Sequence, residues 1–580
     1  MSRRRAAAIV VILAIAVVAA ATGRAQVPGC SLCISADFWV VDPGAWTSAA
    51  GSPAPFVPER ALLDAQKRPD FGIAFSGGGT RSATATVGEL RALVQNGWLD
   101  RARYITGVSG GSWAAVPFTF SSLPLGELLG PMERPEDLSL AVLGQPPQGR
   151  LPRAIAGSRL AASGAFEGAE FASRQYAGNR EVFSIEAQKL LNQVFGTRSA
   201  ADQTYADMLA RAFVGPVVPG ARTQLFAWDA TQVDRLTQLN PQLTTSDFVT
   251  APAGRPFLVV GGSMIYAHDA FPFPRLVPVE MTPMYIGARQ QFGGRVGGLY
   301  VSPLAYDADA AAIAERPDSV GHGVLRIVGR GEGRRFTLGD VVAVSGAAPL
   351  LGFTRGKPLS QLTEAARFFP IYNHLTIRGA SAPPAVLTQS HGDGGFTDNL
   401  GLMPLLARQV HNIMVFVNAA ESFEDTIQLQ VLFSPIERFE DWGGDRSMAM
   451  VFPRERWQEL KAGLEAARAA GGPVFYCARD WEVLGNVAFN IAPYRGLNIC
   501  FMYNHDVPAW REHLAVDTRH ALESSRRFRN FPWYSTSGQL QLNNAQVNLL
   551  ANLSSWSLVQ LGTVRRVREA LCEPLGTCTP

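Results

Sequence analysis

The first recognisable apolar run is Phe71–Phe75, closed by Asp70 on one side and by Ser76-Gly77-Gly78-Gly79 on the other, which predicts a buried strand entering a tight turn. From Arg81 to Asn96 apolar residues recur at helical spacing (Ala83, Val87, Leu90, Leu93, Val94), and Gly97 supplies the stop. Arg103 to Val108 predicts a second strand, again running into glycines, with a helix from Gly111. Strand, turn and helix twice over predict an α/β fold whose parallel-sheet core is covered by helices.

Residues 26–70 are rich in Pro, Gly and Ala and read as an irregular lead-in, and 71–420 read as the main domain. Within it, residues 121–165 break the strand–helix rhythm. Helices are predicted near Val182 to Val194 and Gln203 to Phe213, followed by a strand-rich stretch from Arg222 to about Tyr266. The stretch 121–255 therefore reads as a long insertion after the second glycine turn. A helix near Leu338 to Val344 meets Ser345-Gly346-Ala347-Ala348-Pro349. The turn His391-Gly392-Asp393-Gly394-Gly395 is followed by a helix near Pro404 to Gln409 and a strand from Asn412 to Asn418. Residues 421–580 mix helices and short strands, and are expected to pack on the main domain. No internal repeat is visible.

Composition narrows the class. In 580 residues the hydrophobic fraction is 47% and the charged fraction 17%, which supplies a large core and excludes a disordered or collagen-like chain. The net charge of +3 comes from the N-terminus: Arg3, Arg4, Arg5 and Arg24 precede any acid, and without them 48 basic residues face 49 acidic ones. Nothing in the remainder attracts a polyanion, so no nucleic-acid partner is expected.

Those arginines also flank the apolar run Ala6 to Ala21, which ends in Thr22-Gly23-Arg24-Ala25. A positive segment, a short apolar core and small residues are the parts of a secretory signal, with cleavage after Ala25. The run is short for a bilayer span of about 20 residues, and an uncleaved membrane anchor is the alternative. In an exported chain the six cysteines suggest disulfides. Cys572 and Cys578 flank a turn, Cys30 and Cys33 have C-x-x-C spacing, and Cys477 and Cys500 pair by elimination. No nearby His spacing suggests zinc.

Three glycine-rich bends carry candidate chemistry. Gly107-Val108-Ser109-Gly110-Gly111 is a G-x-S-x-G sequence between a strand and a helix, the bend that lifts a hydroxyl above a sheet. Ser76-Gly77-Gly78-Gly79-Thr80-Arg81 exposes backbone N–H groups at a positive helix end, suited to the oxyanion of acyl transfer. Arg81 opposes the helix dipole there unless an anion accompanies it. Asp393-Gly394-Gly395-Phe396-Thr397-Asp398-Asn399 places on a turn a carboxylate able to accept the Ser109 proton, provided burial raises its pKa. Asp398 is the rival carboxylate, better explained as a helix cap.

In this order the three bends resemble those of the patatin-like superfamily of lipid acyl hydrolases, and Ser109-Gly110-Gly111-Ser112-Trp113 resembles its cytosolic phospholipase A2 and fungal lysophospholipase branch. Glu280-Met281-Thr282-Pro283-Met284-Tyr285-Ile286-Gly287 and Ser345 to Pro349 are similar to further segments of that branch, and the matched landmarks span residues 71–418. The resemblance implies a patatin-like parallel-sheet core and a Ser–Asp dyad without histidine. Ser109 would be the nucleophile and Asp393 the base. Gly78 and Gly79, with Gly77 and Gly110 as further donors, would form the oxyanion hole. Arg81 would contact phosphate, and Asn399 would support the Asp loop. It implies a phospholipid or lysophospholipid substrate at a membrane or micelle interface, with no metal and no organic cofactor.

Two departures stand out. Asp398 replaces a neighbour that is usually uncharged, and the short lead-in before Phe71 is not expected to hold a calcium-binding C2 domain. Two other readings compete. An ordinary α/β-hydrolase would add a histidine, His505, His513 or His520 by chain order, with His391 beside the Asp loop. A non-catalytic exported protein would use the glycine turns and Arg81 to bind an anion.

Overall fold

A computed structural model describes residues 33–41, 57–65, 67–158, 205–266, 275–291, 296–329, 335–347, 370–377, 383–424, 426–434, 449–535 and 541–571. The signal segment, Cys30, Cys572, Cys578, the helix expected at 182–194, and Ala348-Pro349 lie outside these residues.

The described strands are β1 (Ile34–Val40), β2 (Phe71–Phe75), β3 (Tyr104–Val108), β4 (Leu225–Ala227), β5 (Phe248–Thr250), β6 (Phe257–Tyr266), β7 (Arg275–Met281), β8 (Ile286–Ala288), β9 (Leu299–Val301), β10 (Ala310–Glu315), β11 (His322–Val328), β12 (Ile371–Thr376), β13 (Ala385–Asp393), β14 (Asn412–Val417), β15 (Phe475–Val483) and β16 (Tyr494–Tyr503). All but β4 and β5 join one sheet, ordered β10-β11-β1-β9-β8-β7-β6-β3-β2-β14-β16-β15, with β13 on β6 and β12 on β13. The run β6-β3-β2-β14-β16 is parallel, as the strand–helix rhythm predicted. Its strands β2, β3 and β14 are buried along their whole length, which is why they read as continuous apolar runs.

Beyond β6 the sheet turns antiparallel. Only four residues separate β7 from β8, and so short a connection leaves no room for a helical crossover. The lead-in is not irregular throughout: β1 pairs with β11 and β9, burying Ala36 and Phe38. The stretch expected to be strand-rich also holds a helix, Ala230–Leu239, capped by the Asp229 side chain on the Gln232 N–H. In the insertion, Tyr205–Leu209 is helical and runs on as a π turn through Ala210–Val214.

Three helices bear on the site: α1 (Gly79–Gln95), α2 (Ser112–Phe120) and α3 (Leu338–Ser345). The C-terminal part is woven into the same body. Its strand β16 pairs with β14, Cys477 is bonded to Cys500 across β15 and β16, and helix α4 (Asn544–Val559) lies on α1. That last packing is close: the Ser555 hydroxyl donates to the Gly88 carbonyl at 3.0 Å, and a Cβ on Gly88 would lie 2.0 Å from the Ala551 carbonyl oxygen. With the sheet below and α4 above, every residue of α1 from Thr80 to Leu93 is buried, the polar ones included.

Candidate active site

The site is built on the length of β6. Strand β3 runs parallel to β6 and its last pairing is Val108 with Gly261. Strand β13 runs antiparallel along the same edge of β6 and its last pairing is Asp393 with Gly262. Two strand ends thus meet head-on at neighbouring positions of one strand, and both chains must leave the sheet there. The register therefore brings residues 284 positions apart to one corner: the Ser109 hydroxyl donates to Asp393 Oδ2 at 2.8 Å. The other oxygen, Oδ1, accepts the Gly395 N–H at 2.6 Å, which aims the carboxylate. Both side chains are buried.

The nucleophile corner is strained. Ser109 has φ of +48°, a left-handed backbone that costs an L-residue about 1–2 kcal/mol. Polar contacts hold it in place. The Ser112 hydroxyl donates to the Ser109 carbonyl at 2.6 Å, and the Ser109 N–H donates to Ser345 Oγ at 2.8 Å. The Asp corner is held by its main chain: Ser263 Oγ donates to the Asp393 carbonyl at 2.8 Å, and the Gly394 N–H donates to the Ser345 carbonyl at 3.2 Å.

The Ser76–Gly79 turn lies against both. A Cβ on Gly110 would meet the Gly79 carbonyl oxygen at 1.9 Å, so the two glycine turns touch. Gly78 and Gly79 have positive φ and lead into α1, so their backbone lies at its positive end. Gly77 does not fit the expected oxyanion role, because its N–H donates to the Asn399 carbonyl at 2.8 Å. The same bond gives Asn399 its place, joining the Asp loop to the glycine turn. Thr106 Oγ1 adds a bond to the Gly401 carbonyl at 2.6 Å.

Arg81 departs from the expected phosphate contact. Its side chain is buried, with Nε on the Asn418 carbonyl at 3.0 Å and Nη1 on the Tyr534 carbonyl at 2.5 Å. Burial pushes its pKa down to about 10, so it remains a cation. It ties the end of β14 and the C-terminal segment to the oxyanion turn. Asn418 extends this web, donating through its N–H to Ser76 Oγ at 2.7 Å and through Nδ2 to Glu89 at 3.4 Å. Glu89 is pushed up to about 8 by burial, against the pull of the hydrogen bond from Asn418.

Asp398 caps the segment behind the loop: its oxygens accept the Leu400 and Met403 N–H groups. Burial pushes it up to about 6 despite those bonds. The Glu280–Gly287 segment is a scaffold, not a contact to the dyad. Glu280 accepts from Arg408 at 2.9 Å and from Tyr300 at 2.8 Å, and Glu59 accepts from Arg408 at 2.8 Å, all buried. Burial pushes Glu280 up, but Arg408 and Arg289 outweigh it and hold its pKa at about 2. Thr282 Oγ1 accepts the Met284 and Tyr285 N–H groups and shapes the turn between β7 and β8.

Among the described residues, His391 and His505 make their hydrogen bonds away from the Ser109–Asp393 pair. His391 Nε2 is 2.5 Å from the Tyr306 hydroxyl, with Nδ1 against the Gln389 carbonyl. His505 Nδ1 faces the Asp506 carbonyl, while His513 and His520 are exposed. Chain order offers His505, His513 and His520 as triad members, yet the Ser109 hydroxyl donates straight to the carboxylate. Two contributors went unread in the sequence as such. Ser345 was visible only as a helix end, and Asn418 only as the last letter of a strand.

No family model matches the chain. It is similar over 74 residues, at 35% identity, to a Saccharomyces cerevisiae protein carrying a provisional meiotic phospholipase name. It is similar over 70 residues, at 43% identity, to Lysophospholipase 2 of Candida albicans. These stretches cover 13% and 10% of this chain and 12% of each relative. Among solved structures, human GIVD cytosolic phospholipase A2 is 14% identical, with 87% of this chain and 61% of that one covered at a TM-score of 0.38. The same enzyme in complex with methyl gamma-linolenyl fluorophosphonate gives 14%, 90%, 66% and 0.41. In its local sequence the chain is thus similar to phospholipases and lysophospholipases, in line with the patatin-like resemblance carried by its motif order.

Proposed function

We propose that this protein is an exported acyl hydrolase that cleaves carboxylic esters of phospholipids or lysophospholipids through a Ser109–Asp393 dyad. The observation that carries the reading is the 2.8 Å bond from the Ser109 hydroxyl to Asp393, with the second carboxylate oxygen anchored on Gly395. Phospholipase and lysophospholipase names among the relatives support the lipid substrate.

Ser109 Oγ attacks the acyl carbonyl carbon as its proton passes to Asp393 Oδ2. The oxyanion lies toward the backbone N–H groups of Gly78, Gly79 and Gly110. Collapse breaks the ester C–O bond, and the leaving alcohol takes the proton from Asp393. Water then attacks the acyl-enzyme, giving a proton to Asp393. The second collapse releases the fatty acid and returns that proton to Ser109 Oγ, so the dyad ends as it began.

The test is a fluorophosphonate probe with a lipid panel read by mass spectrometry, using chain lacking residues 1–25. A single adduct on Ser109 and release of fatty acid, both lost in Ser109→Ala, are expected. A chain that neither labels nor hydrolyses would overturn the hydrolase reading and leave the anion-binding one standing. Export is supported by the N-terminal pattern and by the Cys477–Cys500 bond, which suits an oxidising compartment. Recovery of the protein outside the cytoplasm with Gln26 as first residue is expected; a membrane-bound chain retaining Met1 would make the segment an anchor.

A further inference from the structure

We propose that Ser345 is a positioning residue for the nucleophile: its hydroxyl grips the Ser109 N–H and the Gly261 carbonyl together and holds the strained corner in its reactive shape. This rests on the dyad reading above and assigns to Ser345 no contact with substrate.

Ser345 is the last residue of α3 and fully buried. A serine within a helix commonly returns its hydroxyl to the carbonyl four residues back. Ser345 does otherwise. Its Oγ accepts the Ser109 N–H at 2.8 Å, 236 residues away, and donates to the Gly261 carbonyl at 2.7 Å. Its own carbonyl accepts the Gly394 N–H at 3.2 Å. One residue therefore touches the nucleophile, the residue after the base, and the β6 position opposite the end of β3.

The geometry explains why such a grip is needed. Val108 is the last residue of β3 that pairs with β6, and the position beyond Gly261 is taken by Asp393. The Ser109 N–H is thus denied the ladder partner it would have found had β3 continued, and the Gly261 carbonyl lies at the same break. A single hydroxyl, as donor and acceptor at once, serves both groups. With φ at +48°, Ser109 has a lower-energy backbone open to it if released. Moving toward it would swing Oγ away from Asp393, and a displacement of about 1 Å at a reacting atom costs on the order of 100-fold in rate. The grip also turns the Ser109 N–H away from the oxyanion, leaving that work to Gly110 and the Gly78–Gly79 turn.

The experiment is Ser345→Ala in the mature-length chain, followed by fluorophosphonate labelling and lipid hydrolysis. The labelling endpoint counts folded sites, and the rate constant per site reports on positioning. A loss of about 10- to 100-fold in both kcat and the labelling rate constant is expected, with KM within about twofold and one label per chain. A merely structural serine would instead lower the endpoint and leave the rate constant unchanged, which would overturn the inference. Should Ser345→Ala yield no labelled sites, Ser345→Cys decides, since its thiol occupies similar space and hydrogen-bonds weakly. Several-fold slower labelling at full stoichiometry supports the grip, and a wild-type rate refutes it. Ser109→Ala run alongside separates the two claims. If it still labels or hydrolyses, the dyad reading fails; if it is dead while Ser345→Ala runs at the wild-type rate, only the grip fails.

Discussion

The two corners that meet on β6 leave the sheet by different means. At the nucleophile, the residue that carries the reacting atom is also the one that bends, so Ser109 takes a left-handed backbone and needs hydroxyl partners to stay there. At the base, Asp393 keeps strand geometry to its last pairing with Gly262, and the turn falls on Gly394 and Gly395. The nucleophile is placed by strain held in check, and the base by register. Their surroundings differ in kind as well. The nucleophile lies beside α1 with its buried Glu89, while the base is delivered by the β12–β13 hairpin with its buried His374 and His391.

The largest effect comes from removing the base without moving its strand. Asp393→Asn keeps the shape of the side chain, so the β6–β13 register and the melting temperature should hold while kcat/KM falls by about 10⁴-fold. Retained turnover would mean that another group takes the proton, and would return the histidines to consideration.

Next come two substitutions that attack the close approaches on either side. A Cβ on Gly110 would lie 1.9 Å from the Gly79 carbonyl oxygen, and one on Gly394 would lie 2.4 Å from the Gly261 carbonyl oxygen. Both meet main chain, which cannot step aside as a side chain can. Each alanine should therefore destabilise by more than the roughly 1–3 kcal/mol of ordinary overpacking. Gly110→Ala should be the worse of the two, as read by denaturant midpoints. Equal midpoints to the wild type would show that the corners are looser than their contacts.

Acid should strike the base side first. Burial holds His374 down at about 4 and His391 at about 3, from an unfolded value near 6.5. The unfolded chain thus binds more protons below pH 6.5, and stability falls from there toward pH 4 by about 1.4 kcal/mol per pH unit per histidine. His411, whose bond to Asp70 raises its pKa, acts in the opposite direction. Neither ring nitrogen of His374 has a hydrogen-bond partner among the described residues. His374→Phe should therefore fit the aromatic cluster around Tyr306 and flatten the acid slope by one histidine's worth. An unchanged slope in urea titrations between pH 6.5 and 5 would show that the ring is hydrated.

The same division governs what could be read from the letters. Strands β2, β3 and β14 and helix α1 announce themselves because the parallel core is buried on both faces, so its strands are apolar runs between glycine turns. Strand β13, Ala385–Asp393, alternates small, polar and apolar residues and pairs with β6 only over its last four positions. The turn that carries the base was legible while the strand that aims it was not. The antiparallel strands beyond β6 were missed for a related reason: β8 and β9 are three residues each, too short for any period to show. Arg81 was misplaced because its partners, the Asn418 and Tyr534 carbonyls, lie 337 and 453 residues away and are main-chain atoms that carry no letter of their own. Ser345 stood in plain view at a helix end, but a role made by two cross-sheet bonds has no local signature.

Rising pH should strike the nucleophile side, and more gently, because one group is involved. Glu89 is buried against Asn418 at the end of β14, and burial pushes its pKa up to about 8 from an ordinary carboxylate value of 4.5. The folded chain therefore holds a proton that the unfolded chain gives up. Stability is full below about pH 4.5 and declines by up to about 1.4 kcal/mol per pH unit until the folded carboxyl itself ionises near pH 8. Glu89→Gln keeps an acceptor for Asn418 Nδ2 and has no charge to lose. It should match the wild type at pH 4.5 and exceed it at pH 8, by an amount that grows with pH across that window. Asn418 meets Glu89 with its side chain and Ser76 and Arg81 with its main chain, so ionisation of Glu89 reaches the oxyanion turn through a single residue. The variant should accordingly keep its fluorophosphonate labelling rate at pH 8.5, where the wild type, with Glu89 ionised, should slow. A Glu89→Gln variant whose stability relative to the wild type does not change from pH 4.5 to 8 would mean that water reaches Glu89, and would leave the two sides of the active site distinguished by geometry alone.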